Sequence, residues 1–410
     1  RFSRLTAPSA MRRGLSVHRG LVLCWIGLSS RTPTSDAMQM RPALAPGQRH
    51  LRPTMSQVAE LAGAGQKVRG QLAVAKEKYG IPDGYAEMMD GFLECYMSEV
   101  MKAGHDEEKY EQVLCNLLSQ VLRLSADPYA FEPYHEAIRE PFDYYAMGCD
   151  FIRGLVDRPK SVTSGFERVE QIKAQLAAGD NVVLLANHQT EADPQIFSLL
   201  LDEAHPGFAS ETIFVAGDRV TTDSIAMPFS MGRNLLCIFS KRHLDNPPEK
   251  KAEKQKHNRM VMKRMQSLFK EGGKCVWVAP SGGRDRPDDN GNYQVAPFDA
   301  KSVEMFRLMS GKAGRTCHFY PLSMFTAAVC PPPVSVGGAV GERRVVKHAP
   351  AGLHFAAEID LATFDEGCLV DSFPEGCSAE ESRDALREAL ASACHAEVAK
   401  NYAALEKQLL

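Results

Sequence analysis

In "LLANHQTEADPQ" (residues 184–195) His188 stands at the exit of an apolar run and Asp193 five positions on, before a proline. A neutral imidazole, with an ordinary pKa of about 6.5, can take a proton from a hydroxyl near neutral pH. A carboxylate on the next turn can accept from the other ring nitrogen, fix the tautomer and stabilise the imidazolium as it forms. Two plainer readings stand beside this one. Asp-Pro also starts helices, as an acidic N-cap with proline at the first helical position, and a histidine here also fits a satisfied core position. No G-x-S-x-G places a Ser or Cys nucleophile on a strand-turn-helix corner, so a reactive pair would act on a substrate hydroxyl directly. Glu191, three residues after His188, raises a metal reading, but there is no helical H-E-x-x-H and the two residues alone do not complete a site.

Two further stretches carry cations at the exits of apolar runs. "FSKRHLDNPPEK" sets Arg242 and His243 just past Phe239, and "APSGGRDRPDD" sets Arg284 and Arg286 just past Ala279. Arginines alternating around Asp285 after a Ser-Gly-Gly turn would direct two guanidinium forks the same way, which suits bidentate capture of a phosphate. The glycines let backbone N–H groups approach an anion. A solvated loop with an Arg-Asp ion pair is the alternative. The segment 249–272 carries eight Lys or Arg against three Glu. That pattern suits a solvated face or the docking of an acidic protein partner.

The elements that must position these residues are legible as periodicity. From about 56 to 127 apolar residues recur at three-and-four spacing, broken by "GIPDG" and "AGHDEE", which predicts a small helical bundle. A proline-rich crossing, "SADPYAFEPYHEAIREPFDYY", follows. Short runs apolar on both faces then alternate with amphipathic helices such as "GFERVEQIKAQLAAG" and "EKQKHNRMVMKRMQSLFKEGG". The runs are 181–186, 212–217, 234–239, 275–280 and 318–325. The expectation is an α/β fold: a mixed, largely parallel sheet flanked by helices, with a small N-terminal helical bundle. In such sheets chemistry gathers in loops at the carboxyl ends of strands, where the residues singled out above lie. The tail from 345 to 410 reads only as helix.

With 410 residues, 44% of them hydrophobic, the chain can bury a large core. The formal net charge of -3 is unevenly spread: residues 1–55 hold nine Arg and no Lys against Asp36 alone. Those residues, rich in Ser, Thr, Arg and Ala, read as an organelle transit peptide. Met11, Arg12, Arg13 and the apolar "LVLCWIGL" also fit a secretory signal, and a disordered leader is the third reading. The expected divisions are a leader at 1–55, a helical domain at 56–135 and an α/β domain at 136–410. A basic excess confined to the leader argues against a nucleic-acid binder. No apolar run approaches the roughly 20 residues needed to span a bilayer, so a soluble body is expected. Eleven cysteines with no C-x-x-C pair look like reduced thiols rather than a disulfide frame or zinc site.

Taken together, these residues resemble a known family. H-x4-D, as "HQTEAD", is the signature of the glycerolipid acyltransferases. The longer text, "AIREPFDYY", "NVVLLANHQTEADPQ", "TIFVAGDRV", "FSMGRNLLCIFSKRH", "WVAPSGGRDRPD", "YQVAPFDAKSVEMFR" and "CPPPVSVGGAVGERR", is similar to the soluble plastid glycerol-3-phosphate acyltransferases. The resemblance spans about residues 137–344. It implies the glycerolipid acyltransferase fold and transfer of an acyl chain from acyl carrier protein or coenzyme A to the sn-1 hydroxyl of glycerol 3-phosphate. Lysophosphatidic acid would be the product, made in the plastid stroma. By position, His188 would be the base and Asp193 its orienter, while Arg242, His243, Arg284 and Arg286 would bind the substrate phosphate. No metal and no cofactor beyond the acyl thioester are implied. A transient touch on the membrane is compatible with a lipid product. The family commonly has lysine where this chain has Arg242, so a planar fork replaces a compact ammonium there.

Overall fold

The five apolar runs form the centre of an eight-stranded sheet. A computed structural model describes residues 65–240, 244–332, 344–364 and 379–410. The strands are β1 (Tyr134–His135), β2 (Val162–Ser164), β3 (Asn181–Ala186), β4 (Ile213–Gly217), β5 (Asn234–Ile238), β6 (Cys275–Val278), β7 (Cys317–Phe325) and β8 (Gly352–Phe355). Their order across the sheet is β1-β5-β4-β6-β3-β7-β8-β2. The inner pairs β5-β4, β4-β6, β6-β3 and β3-β7 are all parallel. Only β1-β5 and β7-β8 run antiparallel. β3 lies at the centre, with Leu184 opposite both Trp277 and Tyr320.

Burial on both faces is why these strands read as unbroken apolar runs. Alternation sends Leu184, Ala186, Trp277 and Tyr320 to one face and Val183, Leu185, Val276 and Phe319 to the other. The second face is covered by the expected helix Lys251–Glu271, by Ala300–Ala313, through Val261, Met265, Phe269, Val303 and Phe306, and by the long Ala379–Leu409. The first face packs against Phe166–Ala177 and Asp193–Leu201 and shares one continuous core with the helices Gln66–Tyr79, Asp83–Lys102, Glu107–Ala126 and Tyr144–Arg153. Tyr96 shows how the N-terminal helices are tied in. It is fully buried, stacks on Phe151 at 4.5 Å, and its hydroxyl donates to the Phe151 carbonyl at 2.7 Å. The first 64 residues, including the expected leader, lie outside the described residues. Among the described residues no helix is long and apolar enough to cross a membrane.

The tail departs from its expected all-helical reading. It contributes β8, which pairs antiparallel with β7 and parallel with β2 before the C-terminal helix begins. The four residues "GLHF" are too few for a periodic signal, and their pairing is decided by the edge that β7 offers. β1 and β2, of two and three residues, escape the sequence for the same reason. Eight cysteines of the described residues are free thiols, and burial pushes Cys237, Cys275 and Cys394 up to about 12.

The crossing from β2 into the helix Phe166–Ala177 needs a glycine. Gly165 has φ +79, and a Cβ there would sit 2.2 Å from the Phe355 carbonyl oxygen on β8. Gly165→Ala is therefore expected to destabilise the fold by at least about 2 kcal/mol, combining left-handed strain with a backbone clash. A shift of the urea midpoint with an unchanged slope would measure it.

Candidate active site

The site begins where β3 runs out. Past Ala186 the chain leaves the strand, with Asn187 and Gln189 turned inward and His188 left partly open. Asn187 and Gln189 are fully buried, whereas the His188 side chain keeps 26% of its surface exposed. Asn187 continues the sheet with its side chain: Oδ1 accepts from the Met324 N–H at 2.7 Å and Nδ2 donates to the Met324 carbonyl at 2.9 Å. Gln189 Oε1 accepts from the N–H groups of Thr326 and Ala327, and its Nε2 donates to the Tyr402 hydroxyl at 3.0 Å. Two buried amides thus pin the loop on β7 and the C-terminal helix.

His188 Nδ1 lies 2.7 Å from Asp193 Oδ2. Asp193 is completely buried, and its carboxylate gathers three further donors. They are the Gln189 N–H at 2.9 Å on Oδ2, and on Oδ1 the Thr190 N–H at 3.2 Å and the Thr326 hydroxyl at 2.6 Å. Asp193 lies within the first turn of its helix, after Ala192 at the cap, and its carboxylate turns back onto the preceding loop. The N-cap reading of Asp-Pro is therefore not how this carboxylate is used. An ionised carboxylate only accepts, so the shared proton sits on Nδ1 and the lone pair on Nε2. Nε2 has no hydrogen-bond partner among the described residues. The ring meets Trp277 of β6 edge-on, with centroids 5.8 Å apart at 83°.

The loop after β6 joins this assembly through its backbone. Gly282, at φ +67, turns the chain, and the Asp285 N–H donates to the His188 carbonyl at 2.6 Å. Asp285 points inward, fully buried, and accepts from Asn187 Nδ2 at 3.0 Å and from the Ala296 N–H at 3.0 Å. Of the two flanking arginines, Arg284 keeps only 13% of its side-chain surface exposed. Both lie close enough to Tyr293 to oppose the rise in its pKa that burial causes. Arg284 Nη1 reaches Glu191 Oε1 at 3.3 Å, which brings this arginine to the His188 loop, while Arg286 is exposed. Arg242 and His243 lie outside the described residues.

Burial raises the Asp285 carboxyl to about 6, against the opposing bonds from Ala296 and Asn187. Because an unfolded aspartate titrates at about 3.9, the folded state holds this proton more tightly. Ionised Asp285 therefore costs stability. Its contribution falls as pH rises from about 4 to about 6, by about 3 kcal/mol at the full shift. Asp285→Asn should flatten the stability profile in that window, which denaturant melts at pH 4.5 and 7 would show.

Several site residues carry signals too weak to single out in the sequence. Asn187 and Gln189 flank His188 and would be found by asking what alternation buries at a strand exit. Thr326 directly follows the β7 run. Arg344 meets Glu191 from a distant segment and is itself held by Asp223, and Tyr402 reaches Gln189 from 213 positions away. Glu191 faces arginines here, and among the described residues no group of three His, Cys, Asp or Glu is arranged to hold a metal ion.

Comparisons with known proteins cover this part of the chain. A family model described as Acyltransferase matches residues 166–325, from the helix before β3 to the end of β7. The class is that of the acyltransferases. Glycerol-3-phosphate acyltransferase ATS12, chloroplastic, of Cucurbita moschata is 40% identical over 330 residues, covering 80% of this chain and 69% of that protein. The chloroplastic glycerol-3-phosphate acyltransferase of Arabidopsis thaliana is 36% identical over 333 residues, covering 80% and 70%. That of Spinacia oleracea is 39% identical over 294 residues, covering 71% and 62%. This chain belongs to the family of chloroplastic glycerol-3-phosphate acyltransferases and is an enzyme of that kind.

Proposed function

We propose that this enzyme moves an acyl chain from an acyl carrier protein or coenzyme A thioester to the sn-1 hydroxyl of glycerol 3-phosphate, in the plastid stroma. Lysophosphatidic acid and a free thiol are the products. One observation carries the reading: the His188–Asp193 pair and Arg284 are joined at the carboxyl ends of the neighbouring strands β3 and β6, through the hydrogen bond from the Asp285 N–H to the His188 carbonyl. A base and a guanidinium group held side by side fit a small molecule with a hydroxyl at one end and a phosphate at the other.

In this mechanism the guanidinium groups hold the phosphate and His188 Nε2 takes the hydroxyl proton. The oxygen attacks the thioester carbonyl as Asp193 stabilises the imidazolium. The tetrahedral intermediate collapses with the carbon–sulfur bond breaking, and the imidazolium returns its proton to the leaving thiolate. Holding both reactants also removes an entropic barrier, so the phosphate contacts serve rate as well as affinity. No cofactor enters these steps.

The deciding assay incubates the protein with labelled glycerol 3-phosphate and each thioester in turn, followed by positional analysis of the product. The sn-1 lysophosphatidic acid is expected. Free fatty acid released regardless of glycerol 3-phosphate would point to a thioesterase, and binding without turnover to a carrier-binding protein.

A further inference from the structure

Glu191 sits on the loop between His188 and Asp193, and its two carboxylate oxygens face two different arginines. Oε1 is 3.3 Å from Arg284 Nη1, and Oε2 is 3.3 Å from Arg344 Nη2. Arg344 comes from a segment 153 positions away and is braced by Asp223, whose Oδ2 accepts from the same Nη2 at 2.7 Å. Asp223 is itself fixed, because its Oδ1 accepts from the Ile225 N–H at 2.9 Å. All four side chains are at most a third exposed: Arg284 13%, Arg344 26%, Glu191 32% and Asp223 33%.

The arrangement is one anion, with two oxygens on a single centre, bridging two guanidinium groups beside the catalytic loop. A phosphate presents the same bridging pair of oxygens with more charge, and guanidinium forks match it. Building on the acyl-transfer reading, we propose that Arg344 adds a further wall, opposite Arg284, to the seat for the substrate phosphate. Glu191 is the built-in occupant that the phosphate displaces. Asp223 keeps Arg344 in place when Glu191 leaves. The seat then costs affinity in proportion to how often Glu191 fills it, since a ligand binds only the fraction of molecules whose site is open.

Removing the occupant and removing a wall of the seat therefore act with opposite signs. In the full chain, Glu191→Gln is expected to lower the KM for glycerol 3-phosphate by about fivefold, the scale of a partly exposed ion pair. The inhibition constant of inorganic phosphate falls by the same factor, because both ligands displace the same group. Arg344→Met raises both constants by about tenfold, the loss of one charge-assisted contact. Arg344→Lys, which keeps the charge without the fork, gives a smaller rise. Damage to packing alone would raise KM in every variant.

Calorimetric titration of inorganic phosphate into each protein reads the seat without turnover. A wild-type protein that makes no lysophosphatidic acid yet shows these shifts in phosphate affinity would overturn the acyl-transfer reading alone. A Glu191→Gln protein whose phosphate affinity is unchanged or weaker overturns the occupant. Unchanged phosphate affinity in both Arg344 variants removes Arg344 from the seat.

Discussion

His188→Ala is expected to lower turnover at least about a hundredfold, since a positioned general base typically contributes about 10²- to 10⁴-fold. The geometry makes this side chain hard to replace. Its Nδ1 proton is committed to Asp193 at 2.7 Å, so Nε2 is left as the basic atom at the end of β3. Water in the vacated space lacks both the basicity and the fixed direction. The fold should tolerate the change, because the loop is pinned by Asn187 and Gln189 on either side and by the His188 backbone carbonyl, and Asp193 keeps three other donors when the imidazole is removed. The KM for glycerol 3-phosphate should change little, because the phosphate contacts belong to other residues. Steady-state rates measured alongside thermal melts decide the matter, and near-normal turnover in a folded protein would falsify the assignment of His188 as base.

Asp193→Asn should be worse in two respects at once. Four donors converge on this carboxylate: the His188 ring nitrogen, two backbone N–H groups and the Thr326 hydroxyl. An amide at the same place has a single acceptor oxygen, and its NH₂ faces groups that are themselves donors. The imidazole can relieve this only by taking the other tautomer, which leaves Nε2 protonated and unable to accept. Turnover is expected to fall on the order of a thousandfold or more, as tautomer reversal does in histidine–aspartate pairs. Unlike His188→Ala, this substitution also strands buried donors, at about 1–3 kcal/mol. Equilibrium denaturation and single-turnover rates should therefore fall together for Asp193→Asn and separately for His188→Ala. An Asp193→Asn protein as stable and as fast as wild type would show that the carboxylate neither holds the loop nor orients the ring.

What could be read in advance divides along a physical line. The five central strands were legible because burial on both faces writes a short unbroken apolar run, and the covering helices because burial on one face writes a three-and-four repeat. β3 was found at 181–186 as it stands, and β7 within one residue. Where the run continues past the hydrogen-bonded ladder, as from Val278 to Pro280, apolar character alone overstates the strand. β8 carries no such signature, since four residues at a sheet edge take their pairing from a neighbour.

Within the site, the residues bearing chemistry stood out by type and by their place at strand exits, and His188 and Asp193 are adjacent in sequence as in space. Their supports did not stand out. Thr326, Tyr402, Asp223 and Arg344 have ordinary identities, and nothing local marks the partner each one meets.

From the sequence alone came the layered α/β class, the strands that carry the site and the pairing of His188 with Asp193, because periodicity and short spacing are local properties of a chain. Only the tertiary structure decided which distant groups surround that pair: that Asp285 turns inward to tie two loops together, and that Arg344 crosses to share Glu191 with Arg284. Those choices depend on which strand lies beside which. That order is set by packing the whole sheet, and no stretch of residues encodes it by itself.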